Sequence, residues 1–177
     1  MIISIIGCAD SASDWHKVKC DRSIGVNDSW KFNYPTDDLL VCNWPVKFPQ
    51  YRLDIIKNSK PKQFYSSIDQ WSTYFPNMVK IRLTSWDGHL YKDRPDVFSH
   101  SDTSPFIAVS MAYKAGAQDI ILWGVDMIDH SLMNQQNPYT AMELRKWGQL
   151  IDTLEREGVK VWLGKSGSAL NLPVCTE

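Results

Sequence analysis

Residues Thr103 to Asp126, TSPFIAVSMAYKAGAQDIILWGVD, carry a helix start, an apolar helix, a glycine stop, a buried strand and a terminal carboxylate in one unbroken run. Thr103 or Ser104 can cap the helix, Pro105 suits its first position because a missing N–H costs nothing there, and Gly116 ends it. The next run, Ile120-Ile121-Leu122-Trp123, is apolar on both pleat faces, as expected of a strand covered on both sides. That is the setting of a mostly parallel sheet between helical layers. Ligands of such sheets bind beyond the carboxyl ends of the strands, which places Gly124 and Asp126 at the expected binding rim.

The same plan recurs to either side. Ile2 to Gly7 reads as a buried strand followed by the small polar stretch Cys8 to Asp14; Ser23 to Val26 ends at Asn27-Asp28-Ser29-Trp30; Leu39 to Cys42 ends at Asn43-Trp44-Pro45. Gln63 to Ser67 and Val79 to Thr84 are predicted strands, with a weakly helical or irregular piece at Asp69 to Phe75 between them. Residues 86–101 mix glycine, proline, charge and aromatics without a period, which predicts a surface loop over an opening. Residues 127–139, rich in Asn and Gln, predict a second loop or lid. Thr140 and Glu143 then form a capping box, with Met142, Trp147, Leu150, Ile151 and Leu154 on one helical face and Gly158 as the stop. Val159 to Leu163 is the last predicted strand. Its tip, Gly164-Lys165-Ser166-Gly167-Ser168, lacks the GxxxxGK[ST] spacing of a P-loop. The alternation predicts a single three-layer α/β domain over residues 1–177.

Composition narrows the partners. The chain has 177 residues, 44% hydrophobic and 22% charged, with 19 basic against 20 acidic side chains and a net charge of −1. Such a balance offers no general pull toward nucleic acid or anionic lipid, so a bound anion must be held by local groups. Brief enzymatic visits to a nucleic-acid polymer remain compatible with it. No apolar run approaches the roughly 20 residues of a membrane span, and MIISIIG is too short and lacks a basic flank for a signal peptide, so a cytoplasmic location is expected. Cys8, Cys20, Cys42 and Cys175 form no CxxC pair, and His16, His89, His100 and His130 do not cluster at ligand spacing, so no metal site is predicted from them. Eight tryptophans are many for this length. Trp15, Trp30, Trp44 and Trp86 fall where strands meet loops, suited either to stacking on a base or sugar or to wedging helices onto the sheet.

A nucleotide at the rim needs donors for phosphate, partners for ribose hydroxyls and a flat surface for the base. Asp10, Ser11 and Ser13 follow the first strand, Asn27 and Asp28 follow the second, and Thr103 and Ser104 open a helix whose N-terminal dipole favours anions. Turns and caps use these residue types too, so it is their recurrence at one edge that points to a ligand. Asp126 can orient a ribose or a reacting hydroxyl. His130, with an ordinary pKa of about 6.5, can serve as general base, and His100 is a second candidate. Lys165 and Arg94 can balance phosphate charge.

Four segments, in order, resemble the small bacterial sialyltransferases built on one Rossmann-like domain and the related proteins similar to archaeal 6-hydroxymethylpterin diphosphokinase. Ile5-Ile6-Gly7-Cys8-Ala9-Asp10-Ser11 stands where that group has a GNGPS-type loop, although here the second glycine and the proline are missing. Ile24-Gly25-Val26-Asn27 stands where it has a strand ending in a nucleotide-contacting Asn. Thr103 through Ala112, Gly116 and Ile121 to Asp126 is similar to its TSG, Ala-rich helix, Gly and GxD run. Val159 to Leu170 is similar to its last strand and Ser-x-Leu tail; Pro45 to His100 matches nothing in it.

The resemblance implies a Rossmann-like nucleotide-binding fold with Asp10, Ser11, Asn27, Thr103 and Ser104 on the nucleotide and Asp126 facing ribose or donor sugar. It also implies a glycosyltransferase using a nucleotide sugar of the CMP-sugar kind, with His130 or Asp126 deprotonating an acceptor hydroxyl and no tightly bound metal or cofactor. The acceptor is unassigned and a homo-oligomer is left open. Two alternatives stand beside it. One is pyrophosphate transfer from ATP, with Mg²⁺ held by Asp126 and Asp10 or Asp28. The other is a nucleotide-binding module without catalysis.

Overall fold

Seven parallel strands make the central sheet of the computed structural model, which describes residues 1–127 and 138–175. In chain order the strands are β1 (Ile2–Ile6), β2 (Arg22–Val26), β3 (Asp38–Leu40), β4 (Gln63–Ser66), β5 (Val79–Lys80), β6 (Arg82–Ser85), β7 (Val97–His100), β8 (Asp119–Trp123) and β9 (Lys160–Leu163). The helices are α1 (Gln50–Asn58), α2 (Ser104–Lys114) and α3 (Pro138–Arg156). The sheet order is β5-β4-β3-β2-β1-β8-β9, and β6 pairs with β7 in a separate two-stranded sheet. The chain therefore winds outward from β1 to one edge, then returns to β1's other side through β8. The reversal falls between β1 and β8.

Alternation along each strand feeds two apolar layers, as the unbroken hydrophobic runs require. Ile3, Ile5, Ile24, Val26, Leu40, Ile120, Leu122, Val161 and Leu163 face α2 and α3, meeting Phe106, Val109, Trp147, Leu150 and Leu154. Ile6, Ile121 and Trp123 face the other way onto Ala12 and Trp15 of a 3-10 helix over Asp10–Lys17. Leu39 and Phe64 continue that second face, under Phe48, Ile56 of α1 and the fully buried Trp71. This is the expected three-layer α/β domain.

Three local readings change. Val79 to Thr84 is not one strand: Ile81 N–H bonds to Ser66 O on the main sheet, while Arg82 N–H turns to Asp96 O, so the chain changes sheets at this residue. Residues 86–101 are not only a surface loop, because Val97–His100 is β7 and Leu90, Val97, Phe98 and Ser99 are buried beneath α2. Its apolar positions are too few to show a period. The Thr140/Glu143 box does not open α3, which begins at Pro138, and Met142 is 37% exposed. Helix α1 (QYRLDIIKN) carries little amphipathic signal in its sequence, since only Ile56 is buried along its length. Of the predicted lid, 127–139, positions 128–137 and with them His130 lie outside the described residues.

Candidate functional site

The parallel topology sorts the candidate residues by edge. Strand β8 runs parallel to β1, so the connecting α2 must run back across the sheet, from the carboxyl edge at Ser104 to the amino edge at Gly116. Gln118 marks that amino edge: its N–H bonds to Met1 O and its Oε1 accepts from the terminal amine at 2.7 Å. The segments after β1, β2, β8 and β9 and the start of α2 therefore share the carboxyl edge, where open parallel sheets bind ligands at the point of strand-order reversal.

At the β1/β8 reversal the backbone closes tightly. Gly7 N–H donates to Trp123 O at 2.7 Å and Ala9 N–H to Gly124 O at 3.3 Å. A Cβ on Gly7 would overlap the Gly124 carbonyl, and one on Gly124, whose φ is +64°, would meet Ala12 Cβ and Ala9 O. Glycine is therefore needed on both sides of the crevice. Across its mouth Ser11 Oγ donates to Asp126 Oδ1 at 2.5 Å, both residues half-buried. Met127, the next residue, is held at φ 59°, a left-handed conformation that costs a long side chain of order 1–2 kcal/mol. Strain of this kind collects at functional sites. The β9 tip closes the far side: Ser168 Oγ donates to Val125 O at 2.7 Å and Ala169 N–H to Asp126 O at 2.8 Å.

Asn27 joins this edge one strand away. It adopts φ 53°, which asparagine tolerates better than most residues, and its Oδ1 is buried without a partner among the described residues. The Cys8 thiol donates to Val26 O at 3.1 Å, tying the β1 loop to the end of β2. Burial first, and then the Asp28 carboxylate, push that thiol up to about 12. Asp28 is 3% exposed and takes its charge partner from α1, where Arg52 Nη2 donates to its Oδ1. The Arg52 guanidinium lies 5.4 Å over the Phe48 ring, and its buried Nε has no partner among the described residues.

The remaining candidates divide by exposure. Asp10 is on the surface, 3.5 Å from Lys31. Thr103 occupies the N-cap of α2 without a side-chain cap bond; its hydroxyl instead meets Ser101 Oγ at 2.9 Å and accepts from Trp147 Nε1 at 3.2 Å. Ser104 is half-buried at the first turn. His100 Nδ1 lies 2.9 Å from Ser101 O. Lys165 pairs with Asp14 at 3.7 Å, on the rim, whereas Arg94 O accepts from Lys114 at the far end of α2. Among the four tip tryptophans only Trp44 stands open, at 49% exposed. Trp15 is core, Trp30 Nε1 donates to Thr36 Oγ1, and Trp86 packs edge-on to Phe106 at 5.4 Å.

Sequence reasoning missed Arg52. Its partner lies 24 residues away, and α1 has too weak a pattern to orient the side chain. Two open clefts border α3: one lies along Asp152, Glu155 and Arg156, and the other runs between Gln149, Asp152, Thr153 and Arg156 and the Trp86-Asp87-Gly88 turn that follows β6. Among the described residues no three His, Cys, Asp or Glu side chains gather as metal ligands. Of the three carboxylates expected to hold Mg²⁺ in pyrophosphate transfer, Asp28 is paired with Arg52, Asp10 lies exposed beside Lys31 and Asp126 accepts from Ser11.

These observations define a three-layer α/β domain of Rossmann-like topology with Ser11 and Asp126 hydrogen-bonded at the switch point. Solved structures sharing this fold include the sialyltransferase CstII from Campylobacter jejuni in complex with cytidine-5'-monophosphate, at a TM-score of 0.59 and 15% identity over 99% of this chain and 85% of that one. The same enzyme with the substrate analogue CMP-3FNeuAc gives 0.56 and 12%, over 99% and 85%. A complex of CST-II with a trisaccharide acceptor and CMP gives 0.52 and 11%, over 98% and 86%. No family model and no curated protein matches the sequence.

Proposed function

We propose that this chain is a glycosyltransferase that takes a nucleotide sugar of the CMP-sugar kind and passes the sugar to an acceptor hydroxyl. The observation that carries the reading is the Ser11–Asp126 hydrogen bond across the strand-order reversal, in a fold shared with structures that hold CMP. Asn27 offers an unpartnered carbonyl to the nucleoside, and the Ser104 N–H and hydroxyl at the start of α2 serve the phosphate. Charge builds on that phosphate as the sugar–oxygen bond breaks and CMP departs with the electron pair, so a helix N-terminus there favours the transition state. Ser11 holds the Asp126 carboxylate at the crevice mouth. Asp126 or His130 takes the proton of the acceptor hydroxyl as its oxygen bonds the sugar.

The test is calorimetric. A screen of CMP, UDP, GDP, ATP and a CMP-sugar should show a selective rise in melting temperature with CMP, because ligand at about 100 times its Kd adds about 2.7 kcal/mol. For a chain of this size that is roughly 5–10 °C. Ser11→Ala and Asn27→Gly should each weaken CMP at least tenfold. Flat curves for the whole panel would end the reading. Turnover then separates an enzyme from a binding module: release of CMP from the CMP-sugar should fall at least 100-fold in Asp126→Ala or His130→Ala, whereas a module shows none in the wild type.

A further inference from the structure

The turn that opens α2 is held from outside. Thr103, at its N-cap, makes no side-chain cap bond. Glu143 of α3 supplies the grip instead: fully buried at 0% exposed, it accepts the Asp102 N–H on Oε2 at 3.2 Å and Lys146 Nζ on Oε1 at 2.7 Å. Lys146 Nζ also lies 3.9 Å from Asp102 Oδ2, so one cation faces both carboxylates. The residue after it, Trp147, donates its Nε1–H to Thr103 Oγ1 at 3.2 Å and stands edge-on to Phe106 at 5.3 Å. Ser101 Oγ, accepting the Thr103 N–H at 3.2 Å, completes the turn.

Burying a carboxylate is costly, and apolar residues often serve mere packing as well or better. Glu143 does something packing cannot: it fixes a backbone N–H at the entrance of the helix. We propose that Glu143 is a positioning residue for the donor phosphate, acting from α3 with Trp147 to hold the Ser101–Thr103 turn so that the hydroxyl and backbone N–H of Ser104 face the carboxyl edge. Lys146 neutralises Glu143 and faces Asp102, which keeps two negative charges from opposing an incoming phosphate. This inference rests on the nucleotide-sugar reading.

Isothermal titration with CMP, together with amide hydrogen exchange, tests it on the full chain. Glu143→Ala should raise the CMP dissociation constant at least tenfold and speed exchange at 102–106, with β1 and β8 protected as in the wild type. Glu143→Gln retains an acceptor for Asp102 N–H and should restore affinity to within about threefold of wild type. Trp147→Phe keeps an aromatic ring against Phe106 but loses the N–H and part of the buried volume, and should weaken CMP by a smaller factor. Should Glu143→Ala fail to fold, the Gln and Phe variants decide: wild-type affinity and exchange in Trp147→Phe, or tenfold loss in a folded Glu143→Gln, overturns the proposal. So does a folded Glu143→Ala that binds CMP as the wild type does. A wild type that takes no CMP overturns the donor reading itself, while wild-type exchange at 102–106 in Glu143→Ala overturns the grip whatever the ligand.

Discussion

Asp28 shows how one residue ties the rim together. Its carboxylate is almost wholly buried, and a buried charge survives only with a partner, which Arg52 supplies from a helix on the sheet's outer face. Removing the guanidinium leaves the carboxylate unpaired in a low-dielectric setting. Arg52→Ala should therefore cost about 2–4 kcal/mol, toward the lower end because the Arg52 side chain is 30% exposed and part of its charge is already solvated. Urea unfolding reads this as a lower midpoint at unchanged slope. A midpoint equal to the wild type would mean that solvent already screens the pair. The double variant Arg52→Ala/Asp28→Asn should recover most of the loss, since it removes the orphaned charge.

At the scale of the element, the β1 and β8 ends depend on absent side chains. Gly7 sits against the Gly124 carbonyl, backbone on backbone, with nothing flexible to give way. Gly7→Ala must spread the two strands where the ligand is proposed to bind, and should cost about 3 kcal/mol. Gly148, also a glycine, lies on α3 with open space around its Cβ direction and no positive φ. Gly148→Ala should stabilise by about 0.5–1 kcal/mol, because alanine loses less backbone freedom on entering a helix. Melting temperatures check both: a fall of roughly 6–12 °C for the first and a rise of roughly 1–4 °C for the second. Equal responses would contradict the difference in space around them.

Across the whole molecule, burial of thiols and phenols ties stability to alkaline pH. Desolvation pushes the Cys8 thiol from 9.0 up to about 12, with Asp28 adding to it, and the Cys42 thiol up to about 11. Burial also raises the Tyr65 and Tyr113 phenols. A group whose folded pKa is raised contributes stability that is complete below its unfolded value and lost as pH climbs through the folded one. The thiol part of the stability should thus be full at pH 7 and decline between pH 9.0 and about 12. Urea midpoints measured at pH 7, 9 and 10.5 should fall over the last interval, and less steeply in Cys8→Ala/Cys42→Ala. A midpoint rising above pH 9 would contradict the sign.

Chain order and hydrophobic pattern alone determined the three-layer sheet and the edge at which Asp10, Ser11, Asn27, Ser104 and Asp126 end their strands or open their helix. Unbroken apolar runs such as Ile120 to Trp123 can be buried only between two layers, and alternation of strand and helix makes the sheet parallel. Tertiary structure alone decided which of those residues touch. The Ser11–Asp126 bond spans 115 residues, Arg52 reaches Asp28 across 24, and Glu143 reaches Asp102 across 41. Each depends on which strands lie side by side and how a helix is rotated upon them, and a local pattern carries neither. The same holds for β7, whose few apolar residues show no period and which becomes a strand by pairing with β6 beneath α2.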